Sequence, residues 1–292
     1  MAHDNHVIDG INKDLVLRNR EDWLKMTDGW EDPYGLPIVE KHDGVSVVRD
    51  DFIVGSKCRF ADLLMRNTKE KTIVYVQPRF GLAGVSIIEA ANRYNKNVVL
   101  FMPSSKKVSL HQAVCIERGA KPIFRRIAAM PVLNKYAREW AEKNGASFVP
   151  LGLRHELVTA CAVRVVKNLE EAYGMPGNVW FAISTGVLGR SLQIGWNKST
   201  HNAVAVSRNL KSGELGSASV LSDKRAFTQR ELRENLPPFP TVDNYDGKVW
   251  KYIPKNDDPG NHWMWNVGKE PVLLDGSIYE KIDSYRDWGE FR

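Results

Sequence analysis

From Lys71 to Pro150 the apolar residues fall in short runs that return about every 25 residues: T-I-V-Y-V at 72–76, N-V-V-L-F-M at 97–102, K-P-I-F-R at 121–125 and S-F-V-P at 147–150. Between these runs, at 84–94, 107–118 and 132–144, apolar positions recur with helical spacing. Buried β-branched runs alternating with amphipathic helices predict an α/β fold built on parallel sheet covered on both faces. The rhythm continues with a helix over Glu156–Ala172, a strand V-W-F-A-I at 179–183, a helix after the loop S-T-G-V-L-G-R-S-L at 184–192, and a strand Ala203–Val206. Upstream, a short helix is expected near Arg20–Met26, then an extended run into Pro37-Ile38-Val39 and an apolar strand Val45–Val48. Residues 207–233 are Ser/Gly-rich and predict a loop or mobile arm before P-P-F-P at 237–240. The stretch 243–268 reads as polar with interleaved aromatics, and a last strand is expected at Val272–Leu274, leading through L-D-G-S-I-Y-E into a final helix.

A chain of 292 residues, 43% hydrophobic and 26% charged, suits one large domain or two modest ones with ample core. No segment approaches the roughly 18 apolar residues of a membrane span, and M-A-H-D-N-H does not open a signal peptide. Cys58, Cys115 and Cys161 are scattered with no C-x-x-C spacing, which predicts a reduced, cytoplasmic setting without structural zinc. The histidines are dispersed and form no H-E-x-x-H or comparable ligand set, so no metal is expected. The net charge of +6 permits an anionic partner, and 207–233 carries six Lys/Arg (Arg208, Lys211, Lys224, Arg225, Arg230 and Arg233) against three acids.

Three loops and one lysine are candidates for chemistry. After Val45–Val48 comes the charged triplet Arg49-Asp50-Asp51, and a Gly-Ser turn then delivers Lys57 at the mouth of a helix beginning near Arg59. Lost hydration and the positive end of a helix both lower a lysine pKa, and such an amine can form a Schiff base with a carbonyl cofactor. On G-S-K-x-R alone, a surface lysine after a turn is the ordinary reading. The loop Ser184–Gly189 joins strand to helix through glycine, so its N–H groups can converge on a phosphate, although many βα turns carry glycine for steric reasons alone. Q-P-R-F-G-L-A-G-V at 77–85 is a second strand–helix loop, in which Gly81 and Gly84 can offer backbone donors to a carboxylate and Arg79 can pair with the same anion; a plain βα connection reads equally well. Tyr279-Glu280 opens the last helix, where an acid often only complements the helix dipole.

Taken in order, these pieces resemble the fold-type II pyridoxal-phosphate enzymes, and within them the 1-aminocyclopropane-1-carboxylate deaminase and D-cysteine desulfhydrase branch. Leu36-Pro37-Ile38, Arg49-Asp50-Asp51 and Gly55-Ser56-Lys57-Cys58-Arg59 are similar to that branch's T-P-x, R-E-D and G-G-N-K-x-R. Arg79–Gly84 stands at its loop before a helix, and Leu100-Phe101-Met102-Pro103 at its V-M-P strand end. Glu117-Arg118-Gly119-Ala120 resembles R-x-G-A, and Ser184-Thr185-Gly186-Val187-Leu188-Gly189 the phosphate loop. Tyr252-Ile253-Pro254-Lys255-Asn256 echoes Y-G-L-P-N, and Leu274–Lys281 echoes L-T-D-P-V-Y-E-G-K.

The resemblance covers roughly residues 35–285 and implies two parallel-sheet α/β domains of the tryptophan synthase β-like kind, with the cofactor between them: 1–60 with 161–292 as the larger, 61–160 as the smaller. It implies pyridoxal 5'-phosphate bound as a Schiff base to Lys57, its phosphate held by Ser184, Thr185, Gly186, Val187, Leu188 and Gly189. It further implies Glu280 at the pyridine nitrogen, Tyr252 and Tyr279 as catalytic acids, Arg79, Phe80, Gly81 and Leu82 around the substrate, and a homodimer. The implied activity is a lyase working at an amino-acid Cα by decarboxylation, deamination or elimination. Phe80 and Leu82 depart from the family's loop asparagine or serine, which leaves room for a substrate whose carboxylate is lost or held differently. That pattern is similar to pyridoxal-phosphate enzymes of bacteriophage thymine hypermodification, which act on amino acids attached to DNA bases; the arm at 207–233 would then meet phosphates. The alternatives are a non-catalytic descendant binding nucleic acid or protein, and a nucleotide-binding α/β protein using 184–189 without a lysine adduct.

Overall fold

The computed structural model describes residues 19–104, 107–126, 129–206, 215–255, 260–280 and 282. His3, His6, Arg208, Lys211, Asn256, Lys281 and the helix expected past 282 lie outside the described residues. The chain divides into two compact units, Met1–Leu63 with Arg154–Glu270, and Leu64–Leu153 with Pro271–Arg292. The residues after 270 thus group with the smaller unit, whereas the expectation from sequence placed them in the larger. The Glu117 carboxylate is the anchor, accepting from the N–H groups of Leu274 (2.9 Å) and Asp275 (2.7 Å).

In chain order the first unit opens with helix α1 (Arg20–Lys25), strands β1 (Val39–His42) and β2 (Val45–Arg49), and the short helix α2 (Ser56–Phe60). Asn19 caps α1 by accepting from Asp22 N–H, a contact of a kind that contributes about 1 kcal/mol. The second unit follows as α3 (Asp62–Asn67), β3 (Thr72–Val76), α4 (Ala83–Arg93), β4 (Asn97–Pro103), α5 (Leu110–Glu117), β5 (Lys121–Arg125), α6 (Met130–Lys143) and β6 (Ser147–Phe148). Its four strands pair in parallel in the order β5-β4-β3-β6. Val74, Val76, Val99, Phe101 and Ile123 pack under Leu133, Ala137 and Ala141 of α6, as the apolar runs predict. Helix α5 starts at Leu110, later than its apolar pattern suggests, because Ser109 and Gln112 form a capping box that fixes the first turn.

The chain then returns to the first unit with α7 (Glu156–Tyr173), β7 (Asn178–Ile183), α8 (Val187–Gly195), β8 (Thr200–Ala205), β9 (Ser219–Ser222) and β10 (His262–Asn266). Six strands form one sheet in the order β1-β2-β10-β7-β8-β9, all parallel except β1, which makes an antiparallel hairpin with β2. One face packs Val45, Val47, Trp180, Val204 and Met264 against Phe239, Val249, Trp250 and Ile253. Among the described residues no helix is long and apolar enough to cross a membrane.

Two expectations fail here. H-W-M-W-N at 262–266 is not part of a polar connection but a fully buried strand in the middle of the sheet. Val272–Leu274 forms no strand; Val272 and Leu274 are 66% and 86% exposed, and the Leu274 N–H donates to Glu117 instead of to a neighbouring strand.

Candidate functional site

The triplet Arg49-Asp50-Asp51 is a scaffold for the turn that carries Lys57. Arg49 grips Asp51 with two parallel bonds, Nε to Oδ1 at 2.7 Å and a terminal nitrogen to Oδ2 at 2.8 Å. Asp50 is fully buried and accepts from Arg59 at 2.8 Å and from Trp265 Nε1 at 3.1 Å. Arg59 also pairs with Asp32 and donates to the Gly35 carbonyl. Asn266, at the end of β10, donates to Asp51 Oδ1 and to the Pro240 carbonyl. Every one of these buried charges has a partner, the condition under which such groups are tolerated. Trp265 Nε1 also donates to Ser56 Oγ (2.9 Å), and Ser56 N–H donates to the Val267 carbonyl (2.9 Å). The turn itself needs Gly55, whose φ of 143° lies where a Cβ is strained.

Lys57 is therefore carried on a short helix nailed to the end of β10. Its side chain is half-buried, and its amine makes no hydrogen bond or ion pair among the described residues. Desolvation holds that amine below the ordinary lysine range, opposed by the charge of Asp246. Asp246 is a residue the sequence reading missed. It is fully buried; Oδ2 accepts from Val267 N–H at 3.1 Å, while Oδ1 has no partner among the described residues. Burial pushes its carboxyl well above the usual range, against the pull of the Val267 N–H and Lys57 and with a further push from Asp50 and Asp51. The adjacent Tyr245 hydroxyl donates to the Ala182 carbonyl (3.3 Å), near the end of β7.

The loop 184–189 leaves β7 at the same edge of the sheet. Lys57 follows the C-terminal end of β2 and the loop follows that of β7, with β10 between them in parallel register, so the two strand ends are about two strand spacings apart, roughly 10 Å. The C-terminal edge of a parallel sheet is where α/β folds place ligands. Gly186 takes the left-handed conformation (φ 76°) at the N-terminus of α8, and no side chain caps that helix. Ser184 and Thr185 are half-buried, and their hydroxyls have no protein partner among the described residues. Val187 is buried and Leu188 half-buried. Gly189 has a steric reason as well: a Cβ there would lie 2.5 Å from a ring carbon of Phe181. A free amine at the same sheet edge as a glycine turn with uncapped helix donors and two free hydroxyls fits a group that bears both a carbonyl and a phosphate.

Arg79, Phe80, Gly81 and Leu82 belong to the second unit, with Arg79 exposed and the other three half-buried. The neighbouring Gly84 N–H is not a free donor, because the buried Gln77 side chain accepts it at 2.8 Å and donates in turn to the Pro78 and Gly81 carbonyls. Tyr279 and Glu280 are exposed in the same unit, on a turn of helix at 278–280 introduced by Asp275, which accepts from Ser277 N–H. Tyr252 lies in the first unit but donates to Asp223 Oδ2 (3.3 Å). Asp223 and Glu231 are buried and share Lys251, at 2.7 and 2.6 Å, while Lys248 donates to the Ala226 carbonyl. These bonds pin 223–231 to 248–252, so this part of the expected mobile arm is anchored. Arg225 is turned toward Glu231 (3.7 Å), whereas Lys224 and Arg230 are exposed.

No protein-family model matches the chain, and no curated protein matches it by sequence. Solved structures do match by fold. A threonine deaminase isoform from Solanum lycopersicum superposes with a TM-score of 0.65 at 13% identity, over 92% of this chain and 89% of that one. A homologue of ACC deaminase gives 0.62 at 14% identity over 82% and 87%. A pyridoxal 5'-phosphate-dependent aspartate racemase gives 0.61 at 12% identity over 88% and 97%. The fold is that of the fold-type II pyridoxal-phosphate enzymes.

Proposed function

We propose that this chain is a pyridoxal-phosphate-dependent lyase acting at the Cα of an amino acid or amino-acid-like group. The observation that carries this reading is the unpartnered, desolvated amine of Lys57 at the same sheet edge as the uncapped loop 184–189. In the proposed site Lys57 would hold the cofactor through its carbonyl and serve as the base that moves a proton at the substrate Cα. The N–H groups of 186–189 and the hydroxyls of Ser184 and Thr185 hold the phosphate. When bound, the cofactor supplies an electron sink for the pair left at Cα when a bond there breaks. Val267, Ser56 and Trp265 keep Lys57 from swinging away.

For the substrate, we favour an amino acid already attached to a DNA base. Phe80 and Leu82 stand where the resembled family has asparagine or serine, and the +6 charge with exposed Lys224 and Arg230 suits phosphates. Decarboxylation follows as the preferred reaction, since the loop offers the carboxylate no such side chain.

The test is direct. Purified protein given pyridoxal phosphate should develop a visible absorption band, and borohydride should fix the cofactor on the peptide containing Lys57, one per chain. Protein that stays colourless, or that is labelled equally on many lysines, overturns the reading. Lys57→Ala should lose the band and keep its fold.

A further inference from the structure

Three buried aspartates surround the turn that carries Lys57, and their oxygens are not equally committed. Both Asp50 oxygens accept, one from Arg59 and one from Trp265. Both Asp51 oxygens accept from Arg49, and Oδ1 also from Asn266. Asp246 alone of the three keeps a buried oxygen, Oδ1, with no donor among the described residues. A single residue ties it to the lysine: Val267 donates its N–H to Asp246 Oδ2 and accepts at its carbonyl from Ser56, the neighbour of Lys57. Lys57 correspondingly has no partner for its amine among the described residues.

We propose that Asp246 is the counter-charge of Lys57, a positioning residue that holds the lysine's proton until a carbonyl arrives and then takes it. This deepens the proposed function and rests on it only for the identity of the carbonyl. The proton step is Lys57 ammonium plus Asp246 carboxylate giving neutral amine plus neutral carboxyl. The amine then adds to the carbonyl carbon, and its two remaining transferable hydrogens leave with the oxygen as water. Burial moves the two groups toward each other, the amine down and the carboxyl up. The charged groups facing Asp246 are Lys57, Asp50 and Asp51, with the Tyr245 hydroxyl beside it. Arg59 and Arg49 are hydrogen-bonded to Asp50 and Asp51, so among the described residues Lys57 is the cation that faces Asp246.

The experiment needs no activity. The full chain, stripped of any bound aldehyde with hydroxylamine, is pulsed with trace acetic anhydride across pH, and acetylation at each lysine is read by peptide mass spectrometry. Asp246→Asn should move the Lys57 midpoint down by about one pH unit or more, about tenfold in rate below the midpoint, with the other lysines unmoved. Asp246→Glu should return it most of the way. Linkage is reciprocal, so in Lys57→Met the Asp246 carboxyl, followed by carbon-13 resonance, should titrate higher than in wild type. That second arm decides the matter if Asp246→Asn does not fold. An unmoved or raised Lys57 midpoint in a folded Asp246→Asn, or an unmoved Asp246 midpoint in Lys57→Met, overturns the proposal. Failure of wild type to take up pyridoxal phosphate overturns the proposed function instead, whatever the midpoints do.

Discussion

Asp50→Asn changes no volume and should still be among the most damaging single substitutions in the first unit. Both Asp50 oxygens face donors, a nitrogen of Arg59 at 2.8 Å and Trp265 Nε1 at 3.1 Å. An asparagine amide has one oxygen, so its NH2 must oppose one of those donors whichever way it turns. Arg59 meanwhile keeps only Asp32 as a carboxylate partner, in a site where its own side chain is 3% exposed. Breaking a buried, hydrogen-bonded charge pair from one side costs about 3–5 kcal/mol. At roughly 2–4 °C per kcal/mol for a chain of this class, the melting temperature should fall by about 6–20 °C. The damage should be specific to the donor conflict. Trp265→Phe removes one donor, so the double variant should lose less than the sum of the singles, by about 1 kcal/mol or more. Calorimetric melts of the four proteins test this. A shift under about 2 °C for Asp50→Asn, or simple additivity with Trp265→Phe, would show that these contacts do not hold the lysine turn in place.

Two further outcomes follow from the same geometry. Gly189→Ala adds a methyl 2.5 Å from the Phe181 ring; overpacking costs about 1–3 kcal/mol against about 1 gained in helix propensity, so the urea midpoint should fall, and an equal or higher midpoint refutes the packing account. If phosphates meet the basic surface, duplex DNA should bind at low salt, and replacing exposed Lys224 and Arg230 together should flatten the salt slope by up to about 2; no binding at low salt removes the DNA-attached substrate.

The βα rhythm of 71–150 was legible because each strand there is a short aliphatic run buried on both faces, which leaves little room for another reading. β10 was not, although it is as buried as any. Its H-W-M-W-N puts polar atoms in the core that only tertiary partners satisfy: His262 accepts from Trp180 Nε1, and Asn266 binds Asp51 and Pro240. Val272–Leu274 misled in the opposite direction, offering apolar side chains to solvent. Lys57 stood out only through the order of several motifs, since G-S-K-x-R alone reads as an ordinary surface lysine. Asp246 did not stand out, since N-Y-D-G has the composition of any surface turn. Its burial is tertiary, with Val267 just past β10 donating its N–H to the carboxylate. Gln77 was hidden for a similar reason, as the side chain that shapes the 77–84 loop is the one that looks like its polar start.

The position of β10 also sets a timetable for making this protein. Ser56 finds its backbone partner, Val267, 211 residues later in the chain. Translation at about 5–20 residues per second puts about 10–40 seconds between the two. Throughout that interval β2 can hydrogen-bond to β1 on one side only, and its V-S-V-V edge stands open to any passing strand. The β3–β6 sheet, whose pairings are local, can be complete before the ribosome reaches β7. Lys57 therefore gains its fixed direction only after residues 262–267 have been made, and a chain stopped before residue 262 would carry the lysine without the strand that aims it.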